Sequence, residues 1–143
     1  MAIESVEKVS VQHMSPVLRF TPEHIQEQPR TPGVYLIFNT PSESFLARDY
    51  CKIGRAAGEG RGLHGRLSDN YKWHKRPDED CGSLESHYFQ ILECETPSDA
   101  GRLEALFHLW HGRYLDERNP IEPKRVPLAS REPDFFEFVG RTS

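Results

Sequence analysis

Tyr35, Lys52, Arg66 and Glu104 are four side chains that, gathered on one surface, suit cleavage of a phosphodiester bond. The carboxylate holds a divalent metal, the two cations hold the scissile phosphate, and the phenol takes a proton from water. None of the four means much alone. Tyr35 lies in an apolar run, where a tyrosine is by default a packed core aromatic, and a free phenol with a pKa of about 10 is a poor base at neutral pH. A nearby ammonium favours the phenolate by Coulomb attraction, and Lys52 is placed to supply it. Arg66 either pairs on the surface with Asp69 or reaches a phosphate, where a planar guanidinium suits the spreading negative charge. Glu104 stands among apolar residues, so it either faces solvent or holds something. Mg2+ or Mn2+ is the useful occupant, because Mg2+ often takes only one or two carboxylates and keeps its waters.

The residues come in a set order: Gly33-Val34-Tyr35, Lys52-Ile53-Gly54, Arg66, Glu104 and Asn119. In that order the chain resembles the GIY-YIG nuclease family over residues 31–120, with a first signature that reads GVY and a second that reads KIG. The resemblance implies a metal-dependent DNA endonuclease and gives activation of the attacking water to Tyr35. Lys52 stands where a second tyrosine is usual, a variant also found in some restriction-enzyme and phage-type branches. The span between the signatures, 39–51, is longer than the minimal pattern and reads as an enlarged hairpin loop. Position 70, one helical turn after Arg66, is Asn where many members carry His or Tyr, and Tyr71 follows it. Asn70 and Tyr71 are therefore accessory candidates. Asn119 either satisfies backbone groups at a helix end or matches the family's late asparagine.

Positioning such a set requires a hairpin and two helices. Val34 to Phe38 is β-branched and aromatic, bounded by Pro32-Gly33 and Asn39-Thr40-Pro41, and reads as a strand. Tyr50 to Ile53 reads as a second strand that ends at Gly54. Paired as an antiparallel hairpin, the two bring Tyr35 and Lys52 together on one face. Four glycines between Gly58 and Gly65 make a flexible approach to a helix over about 62–73, whose apolar stripe is Leu63, Leu67 and Tyr71, with Arg66 off it. Lys75 to Ser83 is a polar loop and His87 to Cys94 a third strand. Thr96-Pro97-Ser98-Asp99 caps a further helix that buries Leu103, Leu106, Phe107, Trp110 and Tyr114 and ends near Glu117 to Asn119, ahead of Pro120. The expected fold is α/β, a small antiparallel sheet of about three strands flanked by helices.

At 143 residues the chain is expected to be one domain: an arm at 1–30, a core at 31–120 and a tail at 121–143 packed on the core. In the arm, Val6, Val9 and Val11 suit a short strand or a frayed helix, and Thr21-Pro22-Glu23 starts a short helix running to about Gln28. In the tail, Phe135 to Val139 forms a short strand or apolar anchor. No apolar stretch approaches a membrane span, the first residues lack a secretion signal, and the three cysteines (Cys51, Cys81 and Cys94) show no CxxC pairing. A cytoplasmic protein with reduced thiols and no membrane partner is expected.

The formal net charge is −4, yet residues 48–76 hold eight basic side chains against three acidic ones. A basic stripe on an acidic body holds a polyanion locally, and its overlap with the KIG-to-Arg66 segment favours that reading over a solvated helix face. Within it, Arg55, Arg61, Lys72, His74, Lys75 and Arg76 are the expected DNA contacts. Because one such site cuts one strand, a homodimer is the expected way to cut two. A rival constellation is Glu104, His108 and His111, spaced i, i+4, i+7, which either presents three ligands to zinc or is structural; His108, one turn from Glu104, is the more relevant histidine. Two other functions remain open: the same fold without activity, holding nucleic acid through the basic stripe, or a protein-interaction module of a larger assembly.

Overall fold

Val34, Leu36 and Phe38 alternate with Tyr35 and Ile37 along one strand, and both sets are buried. A strand buried on both faces needs a packed layer on each side, and the computed structural model supplies both. It describes residues 8–57, 60–74, 87–111 and 132–139. Among these the strands are β1 (Val9–Val11), β2 (His13–Met14), β3 (Leu18–Arg19), β4 (Gly33–Phe38), β5 (Tyr50–Ala56), β6 (Tyr88–Glu93) and β7 (Phe136–Phe138). The helices are α1 (Pro22–Gln26), α2 (Gly62–His74) and α3 (Pro97–His111).

The fold is mixed α/β around a five-stranded antiparallel sheet, larger than the three strands expected. β4 sits between β5 and β6, and the outer side of β6 is taken by β2 and β3 in turn. The two extra strands come from the arm. Each has only two residues, too short for a periodic signature, and between them the bond from Ser15 N–H to the Ile91 carbonyl at 3.0 Å continues the ladder along β6. They cover a β6 edge that would otherwise present unpaired backbone groups. A separate parallel pair joins β1 to β7.

Packing follows the alternation. On one face Val34, Leu36, Phe38 and Ile53 meet Leu103, Phe107 and Trp110 of α3, sealed by Val9, Val11 and Phe135. On the other, Tyr35, Ile37 and Ile91 meet Leu63 and Leu67 of α2, with Phe20 and Ile25 from the arm. Leu106 is only partly buried, and α1 stops at Gln26, two residues short of the expected end. β5 runs three residues past the expected end, straight through Gly54 to Ala56. No helix of the described residues is long and apolar enough to cross a membrane. Cys51 is half-buried and Cys94 buried. Tyr114, the end expected at Glu117 to Asn119, the Lys75 to Ser83 loop and Cys81 lie outside the described residues.

Candidate active site

The pairing of β4 with β5 sets the residue opposite Tyr35 as Gly54. That bare position explains why the strand continues through a glycine. A Cβ built there would collide with Tyr35 Cζ and Oη, so the ring lies across Gly54 and carries its hydroxyl over β5, the last strand of the sheet. Glycine in a strand interior marks a close approach, and here what approaches is the phenol.

Two residues of α2, one turn apart, meet that hydroxyl. Asn70 Nδ2 donates to Tyr35 Oη at 3.1 Å and to the Arg66 carbonyl oxygen at 2.9 Å. Arg66, exposed to solvent, brings a positive charge that favours the phenolate. Tyr35 is only 1% exposed, and burial pushes its pKa above the usual phenol range. Arg66 and then Asn70 pull the other way, and the Glu104 charge adds to the rise. In the free protein the phenol therefore keeps its proton at neutral pH.

Lys52 lies on the same face as Tyr35, as expected, but opposite Ile37, two residues along the strand. The cation that acts on the phenol is Arg66. The direct cross-strand place is held by Gly54, and a positive charge that favours the phenolate arrives from α2.

Glu104 comes from α3 on the opposite face, with its side chain 19% exposed. Arg55 Nε is 3.8 Å from one carboxylate oxygen, and His108 Nε2 is 3.5 Å from the other. His108 is itself buried. His111 turns away and sets its ring edge-on against Tyr50, with centroids 4.8 Å apart. The three-ligand zinc reading therefore fails: among the described residues no three His, Cys, Asp or Glu side chains gather to hold a metal. What remains is a single partly exposed carboxylate with Arg55 and His108 beside it, a donor set that would suit only an ion such as Mg2+ or Mn2+ that takes most of its ligands from water.

The basic stripe divides. Arg55, Arg61 and Arg66 line one open cleft of about 320 Å3, together with Asp69. Asp69 is held by Arg61, with bonds of 3.1 and 2.9 Å, which leaves Arg66 to the phenol rather than to the surface pair first considered. Lys72 is exposed and borders a second cleft, of about 300 Å3, between α1 and α2. Tyr71 packs edge-on against Phe20 at 5.5 Å, so of the two accessory candidates it is Asn70 that meets Tyr35. Arg48 leaves the stripe altogether. It is 6% exposed, sandwiched between the rings of Phe38 and Phe45 at 4.2 and 4.4 Å, and donates from Nε to the Ser42 carbonyl. His74 closes α2, while Lys75, Arg76 and Asn119 fall outside the described residues.

Gly54 as the seat of the phenol and Gly101 as the seat of Arg55 were not anticipated. A Cβ on Gly101 would stand 2.6 Å from Arg55 Nη1. In both cases the available signal was a glycine inside an otherwise regular strand or helix, which calls for a packing reason. Comparison with protein-family models, with curated proteins and with solved structures finds no match for this chain.

Proposed function

We propose that this protein is a divalent-metal-dependent DNA endonuclease with a GIY-YIG-like fold, in which Tyr35 takes a proton from the attacking water. The observation that carries the reading is the meeting at Tyr35. Its phenol crosses Gly54 to reach Arg66 and Asn70 of α2 and feels the charge of Glu104 from α3. Three side chains, Arg66, Asn70 and Glu104, thereby act on one hydroxyl from two different helices.

Each group has a part that its surroundings allow. Arg66, exposed beside the phenol, receives the scissile phosphate and opposes the charge that builds there. Asn70, bridging the phenol and the α2 backbone, fixes the direction of the hydroxyl. Glu104 holds Mg2+ or Mn2+, which when bound supplies positive charge to the phosphate and the leaving oxygen. Because Tyr35 rests protonated, its capacity as a base grows with pH, and Arg66 is the group that most favours the deprotonated form.

The protonated phenol is also the observation that favours a second reading, a module that holds nucleic acid in the arginine cleft without cutting it. Supercoiled plasmid separates the two. Nicking that requires Mg2+ or Mn2+, stops with EDTA, and is lost in Tyr35→Phe and in Glu104→Ala supports the nuclease. Salt-sensitive DNA binding without nicking, with either ion, establishes the binding module instead.

A further inference from the structure

We infer that Arg55 makes metal binding at Glu104 depend on nucleic acid: its guanidinium covers the carboxylate in the free protein and leaves it for a backbone phosphate when DNA enters the cleft. The inference rests on the nuclease reading above and adds to it a coupling between the two ligands. It begins from a side chain with two environments. Arg55 lies 3.8 Å from Glu104 Oε1, and it is also a wall of the arginine cleft shared with Arg61 and Arg66.

The resting place of Arg55 is built into α3. A Cβ at Gly101 would stand 2.6 Å from Arg55 Nη1, so the guanidinium lies in a recess that any other residue would narrow. A glycine inside a helix is unfavourable by itself, and this one makes room for the arginine. The contact is nevertheless easy to leave. The Arg55 side chain is 58% exposed and its distance to the carboxylate is long, which marks a weak, solvent-screened pair. A phosphate offers the same guanidinium a bidentate, charge-assisted contact.

Guanidinium and divalent cation compete for one carboxylate, because each repels the other there. Anything that draws Arg55 off Glu104 therefore strengthens metal binding, and metal on Glu104 strengthens phosphate binding by the same factor. His108 remains on the second oxygen at 3.5 Å and keeps the carboxylate oriented through the exchange.

The test measures Mn2+ affinity of the full chain by electron paramagnetic resonance, with and without a short DNA duplex. A Tyr35→Phe background keeps the strand uncut. The parent is expected to bind Mn2+ about fivefold more tightly with DNA present, a coupling of ordinary size. Arg55→Gln is expected to bind Mn2+ that tightly without DNA and to gain nothing when DNA is added. Gly101→Ala, which keeps the arginine but closes its recess, shifts in the same direction. Arg61→Gln, which loses a cleft arginine paired with Asp69 and not with Glu104, weakens DNA binding and leaves Mn2+ affinity without DNA unchanged. The coupling is overturned if Arg55→Gln leaves DNA-free Mn2+ affinity where it was. It is equally overturned if Arg61→Gln raises that affinity as much, since lost positive charge alone then explains the change. Absence of any Mn2+ binding sensitive to Glu104→Gln sinks the metal-centre reading itself, and the coupling with it.

Discussion

At the loop end of the β4–β5 hairpin one arginine is buried between two phenylalanines; at the other end two arginines stand in solvent beside a tyrosine. Arg48 has its guanidinium over Phe38 and Phe45, and its Nη1 and Nη2 make no hydrogen bond among the described residues. Desolvation lowers its pKa, the expected direction for a cation moved out of water. Arg55 and Arg66 stand at the surface, lining a cleft beside Tyr35. Both ends came from one basic stretch of sequence. The difference shows that a count of positive residues overstates the charge a polyanion can meet, since packing removes some of it.

The largest expected effect lies at the open end. Arg66→Ala is expected to lower the single-turnover rate of cleavage by about 10²- to 10³-fold, the usual loss when one group opposing transition-state charge is removed. Its melting temperature should barely move, because the side chain is exposed. A rate within a factor of about three of wild type would mean that Arg66 does not meet the phosphate, and the contrast between the ends would lose its functional half.

Gly54→Ala comes next. The new Cβ displaces the Tyr35 ring, and a reacting group moved by about 1 Å typically loses about 100-fold in rate. Overpacking should also destabilise the fold by about 1–3 kcal/mol, measured by denaturant unfolding. Loss of stability with rate intact would show that the ring is merely packed.

At the closed end the effect should fall on stability alone. Arg48→Ala is expected to destabilise by about 2 kcal/mol, through loss of both ring contacts and of the volume between them. Arg48→Met, which fills the same space without unpartnered donors, should recover most of that loss. DNA affinity of the folded protein should be unchanged in both variants. Weaker DNA binding by Arg48→Met would place this arginine back in the electrostatic footprint.

Alkaline titration sharpens the contrast through the two tyrosines. Burial pushes Tyr50 up to about 12. A raised pKa of this kind favours the protonated folded state, so the linked stability is complete below about pH 10 and is lost as pH rises through about 12. Tyr50→Phe should flatten that decline. Tyr35 is also raised, with Arg66 as the leading opposing influence, so Arg66→Ala should move its ionisation further up while Lys52→Met leaves it in place. Ultraviolet absorbance of phenolate reads both. An upward shift in Lys52→Met equal to that in Arg66→Ala would restore the lysine as a partner of the phenol.

The smallest effect concerns the ion pair inside the cleft. Asp69→Ala frees Arg61, and DNA affinity is expected to rise by only a few-fold, consistent with the ~1 kcal/mol or less that exposed pairs contribute. A fall in affinity would show that Asp69 orders Arg61 for binding rather than neutralising it.

The hairpin and both long helices were legible because each has a run with a clear period and clear boundaries. α2 followed from Leu63, Leu67 and Tyr71, and α3 from Leu103, Phe107 and Trp110 behind a Thr96 cap whose Oγ1 accepts from Asp99 N–H at 3.1 Å. The full width of the sheet was not legible, since two-residue strands such as β2 and β3 are specified by the edge they cover and not by their own pattern. Around Tyr35, residue types did not reveal which side chains become neighbours. Register decided that Gly54 rather than Lys52 faces Tyr35, and a helix one layer away decided that Arg66 is the cation. Gly54 was read as a strand end because glycine commonly punctuates; its other use, to admit a large neighbour, depends on which residue lies opposite. The burial of Arg48 was hidden for a similar reason, as its two aromatic neighbours lie ten and three positions away.

The parallel ladder that joins Val9 to Phe136 also bears on how the chain acquires its structure. During synthesis the two strands of the hairpin and α2 are neighbours in sequence and are free to begin assembling early. The layer beneath α3 has to wait, because Phe135, which closes against Phe107, is made well after α3. Contacts of such long range form slowly, and until they do the apolar side of α3 is open to neighbouring chains. Aggregation of a product that stops short of Phe135 should therefore start from the α3 side, and the β4–β5 hairpin should pair before that layer closes.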